Sequence, residues 1–521
     1  MKNYFKYLAI LALGVVSCEP ELENSIEDGE LYTNGSADFS NYVALGNSLT
    51  AGYADGSLYI TGQQNSYPNI LADKFAAVQE TDGFTQPLMN DNFGGLLAGG
   101  TQIPGFDTRL VLAVGANGPF PARYRGATPT TDITNVLSGP FNNMGVPGAK
   151  SYHLVAPGYG NVAGVSAGLA NPFFVRFASA ANSTILDDAL AQDPTFFTLW
   201  IGNNDVLGYA TSGGTGTFQL GNPNFAEYGM NDITDPTAFA GLYGQLAGAL
   251  AQTADGVLLT IPDVTLAPFF TTVPNNALVI DAATAGQLTA YFQAVAGVFT
   301  QVLMQQGVPQ EQAVAIASQY AITFNEGPNR FLIDVPASQT NPLGFRQMTQ
   351  EELLLLTIDQ GALAAGYGSV EFTQEVGEVI AVLQGGGSPT QEQVGILFGA
   401  VSGIDDKDAL DSEEILNIKQ ATGLFNDAIA ATAGSLNLGL VEIDEVLGRL
   451  NNGGIAFDGG VITSDFVTGG AFSLDGIHLT PRGYAVVANE IIAEINATYG
   501  SNVPKADVGA YGTVTLSQDV Q

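Results

Sequence analysis

Tyr42-Val-Ala-Leu-Gly-Asn-Ser-Leu-Thr-Ala-Gly52 is an apolar run that breaks into a tight Gly-Asn-Ser turn. The pattern predicts a buried strand followed at once by a helix, with Ser48 lifted clear of the backbone between them. A nucleophilic serine belongs on such an elbow. Taken alone, the segment also has a plainer meaning, because serine is a favoured N-cap for a helix beginning at Leu49.

Near the other end stands Asp475-Gly-Ile-His478, followed by Leu-Thr-Pro-Arg-Gly-Tyr484 and an apolar helical pattern in which Thr480 and Pro481 mark the start. A serine hydroxyl is a poor nucleophile at neutral pH. A neutral imidazole must take its proton during attack, and a carboxylate must fix the tautomer of that imidazole. Three residues apart on one loop, Asp475 and His478 can meet locally. An imidazole titrates near pH 6.5 when unperturbed, which suits a base working near neutrality. With two histidines in the chain, the choice of base is narrow. Each residue alone would read as an ordinary turn residue.

Between these ends lie two candidate stabilisers for a negative oxygen. Asn142-Asn-Met-Gly-Val-Pro-Gly148-Ala149 is a Gly-rich turn suited to presenting a backbone N–H, and Gly148 is the expected donor. Thr195-Phe-Phe-Thr-Leu-Trp-Ile201 reads as a buried strand that breaks at Gly202-Asn-Asn-Asp205, where the Asn204 amide would project from the strand's carboxyl end.

The order Ser, Gly, Asn, then Asp-x-x-His resembles the SGNH hydrolases, also called the GDSL esterase/lipase family. The resemblance implies Ser48 as nucleophile, His478 as base and Asp475 as its orienter. The oxyanion hole would be made of the Ser48 N–H, the Gly148 N–H and the Asn204 amide. It also implies a three-layer α/β/α, flavodoxin-like parallel sheet covering about 38–264 and 410–499, with no cofactor. One departure is Asn47, where the family usually has Asp; the shape is kept and the charge is lost. His153 has no carboxylate at matching spacing and is expected to pack or to face substrate rather than catalyse.

Two histidines and one cysteine cannot make the usual zinc sets, so no metal is expected. Asp405-Asp-Lys-Asp408 through Glu413-Glu414 lacks the ordered positions of a calcium loop and reads as a solvated helix start. Lys2 and Lys6, the apolar stretch Tyr7 to Val16, and Val15-Val-Ser-Cys18 read as a lipoprotein signal peptide over 1–17, with Cys18 as the acylated residue. The acidic segment that follows, over 18–37, reads as a tether, and its acidic run straight after Cys18 resembles the surface-export signals of Bacteroidetes-type lipoproteins. An outer-membrane, lipid-anchored location is the expectation. The net charge of −36 would become −38 without residues 1–17. Such a charge argues against nucleic acid as a partner and leaves membrane attachment to the lipid.

Strands are predicted near 41–46, 195–201, 256–262 and 438–443, alternating with helices, which implies a parallel α/β sheet. Two blocks exceed a minimal domain. One lies at 80–140 and carries the β-like run Thr108 to Val114. The other, 265–409, is read as a mainly helical cap, with helices near 284–306, 309–320, 348–364 and 389–401 and a hairpin at Asn325-Glu-Gly-Pro-Asn329. Leu353-Leu-Leu-Leu-Thr-Ile358 and Gln393 to Ala400 carry more apolar surface than isolated helices should expose and are expected to pack as a cap beside the catalytic mouth, either as a substrate-shaping lid or as a structural helical insertion. The tail 500–521 carries no assignment. The leading expectation is a serine carboxylesterase or lipase acting on a small-molecule, lipid or glycan ester. The alternatives are a glycan deacetylase of the same fold and a non-catalytic, ligand-binding surface lipoprotein.

Overall fold

The computed structural model describes residues 32–116 and 118–520. The expected signal peptide, Cys18 and most of the acidic tether lie outside the described residues. The chain folds around a parallel five-stranded sheet. Its strands are β1 (Tyr42–Gly46), β2 (Asn143–Gly145), β3 (Phe196–Trp200), β4 (Asp255–Leu259) and β5 (Gly439–Val441), in the order β5-β4-β3-β1-β2. Four of these match predicted strands. The short β2 lies inside the segment read as a turn; it pairs Ala44 with Asn143 and Gly46 with Gly145.

Every residue of β1 and β3 is buried, as the unbroken apolar runs require of central parallel strands covered on both faces. The helices near the sheet are α1 (Ser48–Ala51), α2 (Tyr67–Phe75), α3 (Asn204–Thr211), α4 (Pro236–Leu250), α5 (Ser412–Leu436), α6 (Ile443–Asn451) and α7 (Pro481–Tyr499). Alternation along β3 sends Phe196, Thr198 and Trp200 to one face. There Phe196 meets Phe39 and Tyr499, and Trp200 meets Tyr67 of α2. Phe239 of α4 lies 4.2 Å from Phe425 of α5, in the same continuous core. Each such buried ring contributes on the order of 1.5–3 kcal/mol.

After β1 the chain crosses to β2 on one side and then returns to β3 on the other. This reversal opens a crevice beyond the carboxyl ends of β1 and β3, where a doubly wound sheet holds its ligand. Ser48 follows β1 and Asn204 follows β3.

The insertion has its own core, built from Ala282–Gln305, Gln310–Ala317, Gln374–Gln384 and Gln391–Gly399. Three expectations need correction. The predicted helix 348–364 is helical only over Gln360–Ala364, where Asp359 caps it; Leu353–Leu354 instead pair antiparallel with Ala409–Leu410. The Leu run is buried against two cores at once, which suits a strand better than a one-sided helix. The predicted hairpin at 325–329 is not local. Asn329 folds back on Asn325, and Gly327–Asn329 pairs with Leu278–Ile280. Gln393 to Ala400 packs inward rather than beside the mouth: Leu397 is fully buried in the insertion's own core, Tyr291 hydrogen-bonds its carbonyl, and no residue of this segment lines either cavity at His478.

Leu110–Gly115 and Gly118–Arg123 form a hairpin within the 80–140 block. The tail supplies its next neighbour: Leu112 N–H donates to Thr515 O at 2.8 Å, and Ser517 N–H donates to Leu112 O at 3.2 Å. The end of the proposed tether also belongs to the body. Ser36 N–H donates to Tyr499 O at 2.9 Å, and Ala37 is buried.

Candidate active site

Ser48 opens α1, but the cap is its neighbour. Asn47 Oδ1 accepts from Leu49 N–H at 3.0 Å, so the capping role considered for Ser48 is filled and its hydroxyl is left for another partner. Asn47 Nδ2 donates to Asn203 Oδ1 at 2.8 Å, which ties the elbow to the start of α3. Asn203 Nδ2 is buried and has no partner among the described residues. Gly46 permits the turn: a Cβ there would stand 2.1 Å from Thr50 Oγ1 and 2.4 Å from Trp200 O.

The structure brings the three predicted triad residues into one relay. Ser48 Oγ lies 2.9 Å from His478 Nε2, and His478 Nδ1 lies 2.9 Å from Asp475 Oδ2. In this network the hydroxyl donates to Nε2 and the Nδ1–H donates to the carboxylate, the tautomer that general-base catalysis needs. Ser48 is 7% exposed, which leaves it a narrow opening rather than a solvated face.

Asp475 also accepts from three backbone groups: Ile477 N–H at 2.9 Å, His478 N–H at 2.8 Å and Gly56 N–H at 2.7 Å. Burial by itself pushes this carboxyl up. The adjacent imidazole and these donors outweigh it and hold Asp475 well below the usual carboxylate range. The loop is braced from outside by residues that sequence reasoning missed. Asp55 accepts from Leu474 N–H at 3.1 Å and from Tyr59 O–H at 2.8 Å, and Asp55 N–H donates to Ser473 Oγ at 2.9 Å. Burial raises the Asp55 carboxyl to about 6. The Tyr53 ring lies 4.6 Å from the His478 ring.

Of the three expected oxyanion donors, Ser48 and Asn204 reach the wall of one small pocket, while Gly148 sits in the adjoining turn. Gly148 has φ +80°, a conformation natural to glycine, and its N–H donates to no acceptor among the described residues. Asn204 Nδ2 donates to Ala149 O at 2.8 Å, which fixes the plane of the amide and leaves its second N–H.

Two buried polar residues hold this lobe together, and neither was singled out from sequence. Asp205 accepts from Ser151 N–H at 2.8 Å, Ser151 O–H at 2.7 Å and Thr234 O–H at 2.8 Å; Asn171 Nδ2 donates to Pro147 O at 2.8 Å. Their only sequence signal was adjacency to the turn and to Asn204. His153 packs, as expected. Its ring stacks on Tyr159 at 4.3 Å, Nδ1 accepts from Lys150 N–H, and burial lowers its pKa to about 4, so it is neutral. The acidic stretch at 405–414 ends in a helix start, with Asp411 capping α5 in a reciprocal box with Glu414. Removing the amide in Asn204→Ala is expected to lower kcat by about 10²–10³-fold with a smaller change in KM, as for loss of one oxyanion donor; unchanged kcat would remove Asn204 from the site.

Two cavities meet at His478. One, of about 70 Å³, is lined by Ser48, Asn204 and apolar residues of α6, among them Val446, Leu447 and Leu450. The other is a cleft of about 1210 Å³ between the α/β body, the 110–123 hairpin and the insertion. Leu356, from the Leu-rich run, does line this cleft. The insertion is fastened to the relay loop, because Phe269 N–H donates to Gly476 O at 3.0 Å and Leu356 N–H donates to Phe269 O at 2.8 Å.

Compared with protein-family models, curated proteins and solved structures, the chain shows no match.

Proposed function

We propose that this chain is a serine ester hydrolase of the SGNH type, with a three-layer α/β/α body and an insertion shaping its substrate cleft. The Ser48–His478–Asp475 relay, with both links at 2.9 Å, is the observation that carries the reading. Ser48 Oγ attacks the ester carbonyl as His478 Nε2 takes its proton. Asp475 stabilises the imidazolium that forms, and the Ser48 and Gly148 N–H groups with the Asn204 amide receive the negative oxygen. His478 then gives the proton to the departing alcohol oxygen. A water activated by the same imidazole releases the acyl group from Ser48. An N-terminal lipid on Cys18 would hold the enzyme at the outer membrane.

The sizes of the two cavities refine the substrate. A pocket of about 70 Å³ beside the nucleophile suits a short acyl group, and the large cleft suits a bulky alcohol. That favours a short-chain esterase or a glycan deacetylase over a long-chain lipase. Asn47, the one departure from the family pattern and the sequence feature that favours a non-catalytic reading, acts as a helix cap outside the relay.

The test is turnover of p-nitrophenyl esters from acetate to long acyl chains by protein lacking residues 1–18. The expected kcat/KM is greatest for acetate to butyrate and falls by about tenfold or more at longer chains, since each misfit methylene in a closed pocket costs on the order of 1–3 kcal/mol. A preference for long chains would place the acyl group in the large cleft instead. No turnover of any ester would favour the binding-protein reading.

A further inference from the structure

Resting on the ester-hydrolase reading, we propose that the alcohol part of the substrate carries an oxyanion, a carboxylate or a phosphate, and that Arg123 recognises it. The chemistry assigns the two cavities. His478 Nε2 must protonate the departing oxygen, so the alcohol lies on the side of the imidazole away from the acyl pocket. The large cleft is lined there by His478 and Asp475, but by neither Ser48 nor Asn204.

Apart from the two relay residues, Arg123 is the one charged side chain lining that cleft among the described residues. The rest of the wall is apolar or neutral, in a protein whose net charge is −36. An anionic substrate approaching such a protein needs a local cation. Arg123 ends the hairpin strand Gly118–Arg123 and is held in place by its Nη1, which donates to Thr108 O at 2.6 Å and to Gly56 O at 3.3 Å. Gly56 is also the residue whose N–H holds Asp475, so the guanidinium is built onto the support of the relay. Neither Nε nor Nη2 has an acceptor among the described residues, and the guanidinium makes no ion pair there.

Nε and Nη2 form the side-on fork of arginine that matches the two oxygens of a carboxylate or phosphate. Its anchors are backbone carbonyls, which orient the group without neutralising it. The Asp475 charge does not compete, because its oxygens are taken by His478, Ile477 and Gly56. An apolar wall strengthens the attraction by excluding water.

The experiment compares esters that share an acetyl group and differ in the alcohol. One pair is 4-nitrophenyl acetate and 3-carboxy-4-nitrophenyl acetate; the other is monoacetin and 1-acetylglycerol 3-phosphate. Each kcat/KM is divided by the rate of alkaline hydrolysis. The anionic ester of at least one pair is expected to be favoured by about tenfold or more in the native protein, the scale of a hydrogen-bonded charge pair. Arg123→Gln should collapse that ratio, and Arg123→Lys should keep part of it. The responding pair distinguishes carboxylate from phosphate. A ratio near one in the native protein for both pairs, or a ratio unchanged in Arg123→Gln, overturns the proposal.

Equilibrium dialysis of 5-hydroxy-2-nitrobenzoate and glycerol 3-phosphate against Ser48→Ala, with and without Arg123→Gln, reads recognition without turnover. Binding that depends on Arg123 supports the proposal even if no ester is cleaved, a result that would count against hydrolysis alone. Binding that ignores Arg123 overturns it.

Discussion

Ser48→Ala is expected to lower kcat for every ester the protein turns over by about 10⁴-fold or more, with the fold intact. Among the described residues the hydroxyl has one partner, His478 Nε2, and the helix that Ser48 opens is capped by Asn47. Its removal therefore deletes the proposed nucleophile without releasing a cap or a buried backbone group. Unchanged thermal unfolding together with lost turnover is the expected pair of measurements. A variant that keeps more than about a tenth of the native kcat would mean that another group attacks, because no oxyanion hole alone supplies that much rate.

Asp475→Asn is expected to cost about 10⁴ in kcat as well, by a different route. One carboxylate oxygen accepts from His478 Nδ1–H and Gly56 N–H, and the other accepts from Ile477 and His478 N–H. A carboxamide has one oxygen for these two places. If the NH₂ takes the first, it meets Gly56 N–H and forces the proton of His478 onto Nε2, where the imidazole can no longer accept from Ser48. If it takes the second, it confronts two backbone donors and the loop must shift. Either outcome leaves a buried donor unpaired, at about 1–3 kcal/mol.

The pH dependence of stability gives an independent reading of this variant. The folded-state pKa of Asp475 is depressed, so its contribution is present above the unfolded value of about 3.9 and is lost as pH falls toward the folded one. The stability gap between native protein and Asp475→Asn should narrow as the solution is acidified below about pH 4. A gap that widened in acid would contradict the charged, multiply hydrogen-bonded state of this carboxylate.

The parts of this site that were legible in the sequence are those written in local signals. The run before Ser48 announces a central strand, Gly46 and Asn47 announce the break, and Asp475 to His478 is a single loop closed by its own hydrogen bonds. The coming together of Ser48 and His478, across 430 positions, followed from chemistry, because the roles are useless apart. What stayed hidden depends on partners distant in the chain. Asp55 braces Leu474 from 419 residues away, and Thr515 pairs with Leu112. Neither contact leaves a periodicity to read. The run at 353–358 misled because four leucines satisfy a helix face and a doubly buried strand equally, and only the pairing with Ala409–Leu410 decides between them. Asp205 is a buried carboxylate saturated by hydroxyl and amide donors, an arrangement that no spacing in the sequence encodes.

The most direct test of Ser48 as the nucleophile is labelling of the native protein with a fluorophosphonate, followed by peptide mass spectrometry. An activated serine attacks phosphorus as it attacks an ester carbonyl, so the reagent reports the nucleophile without requiring the true substrate. One phosphonyl group per chain is expected, located on Ser48, with labelling lost in His478→Ala and greatly slowed in Asp475→Asn. Absence of an adduct on Ser48, or labelling that persists without His478, would contradict that role.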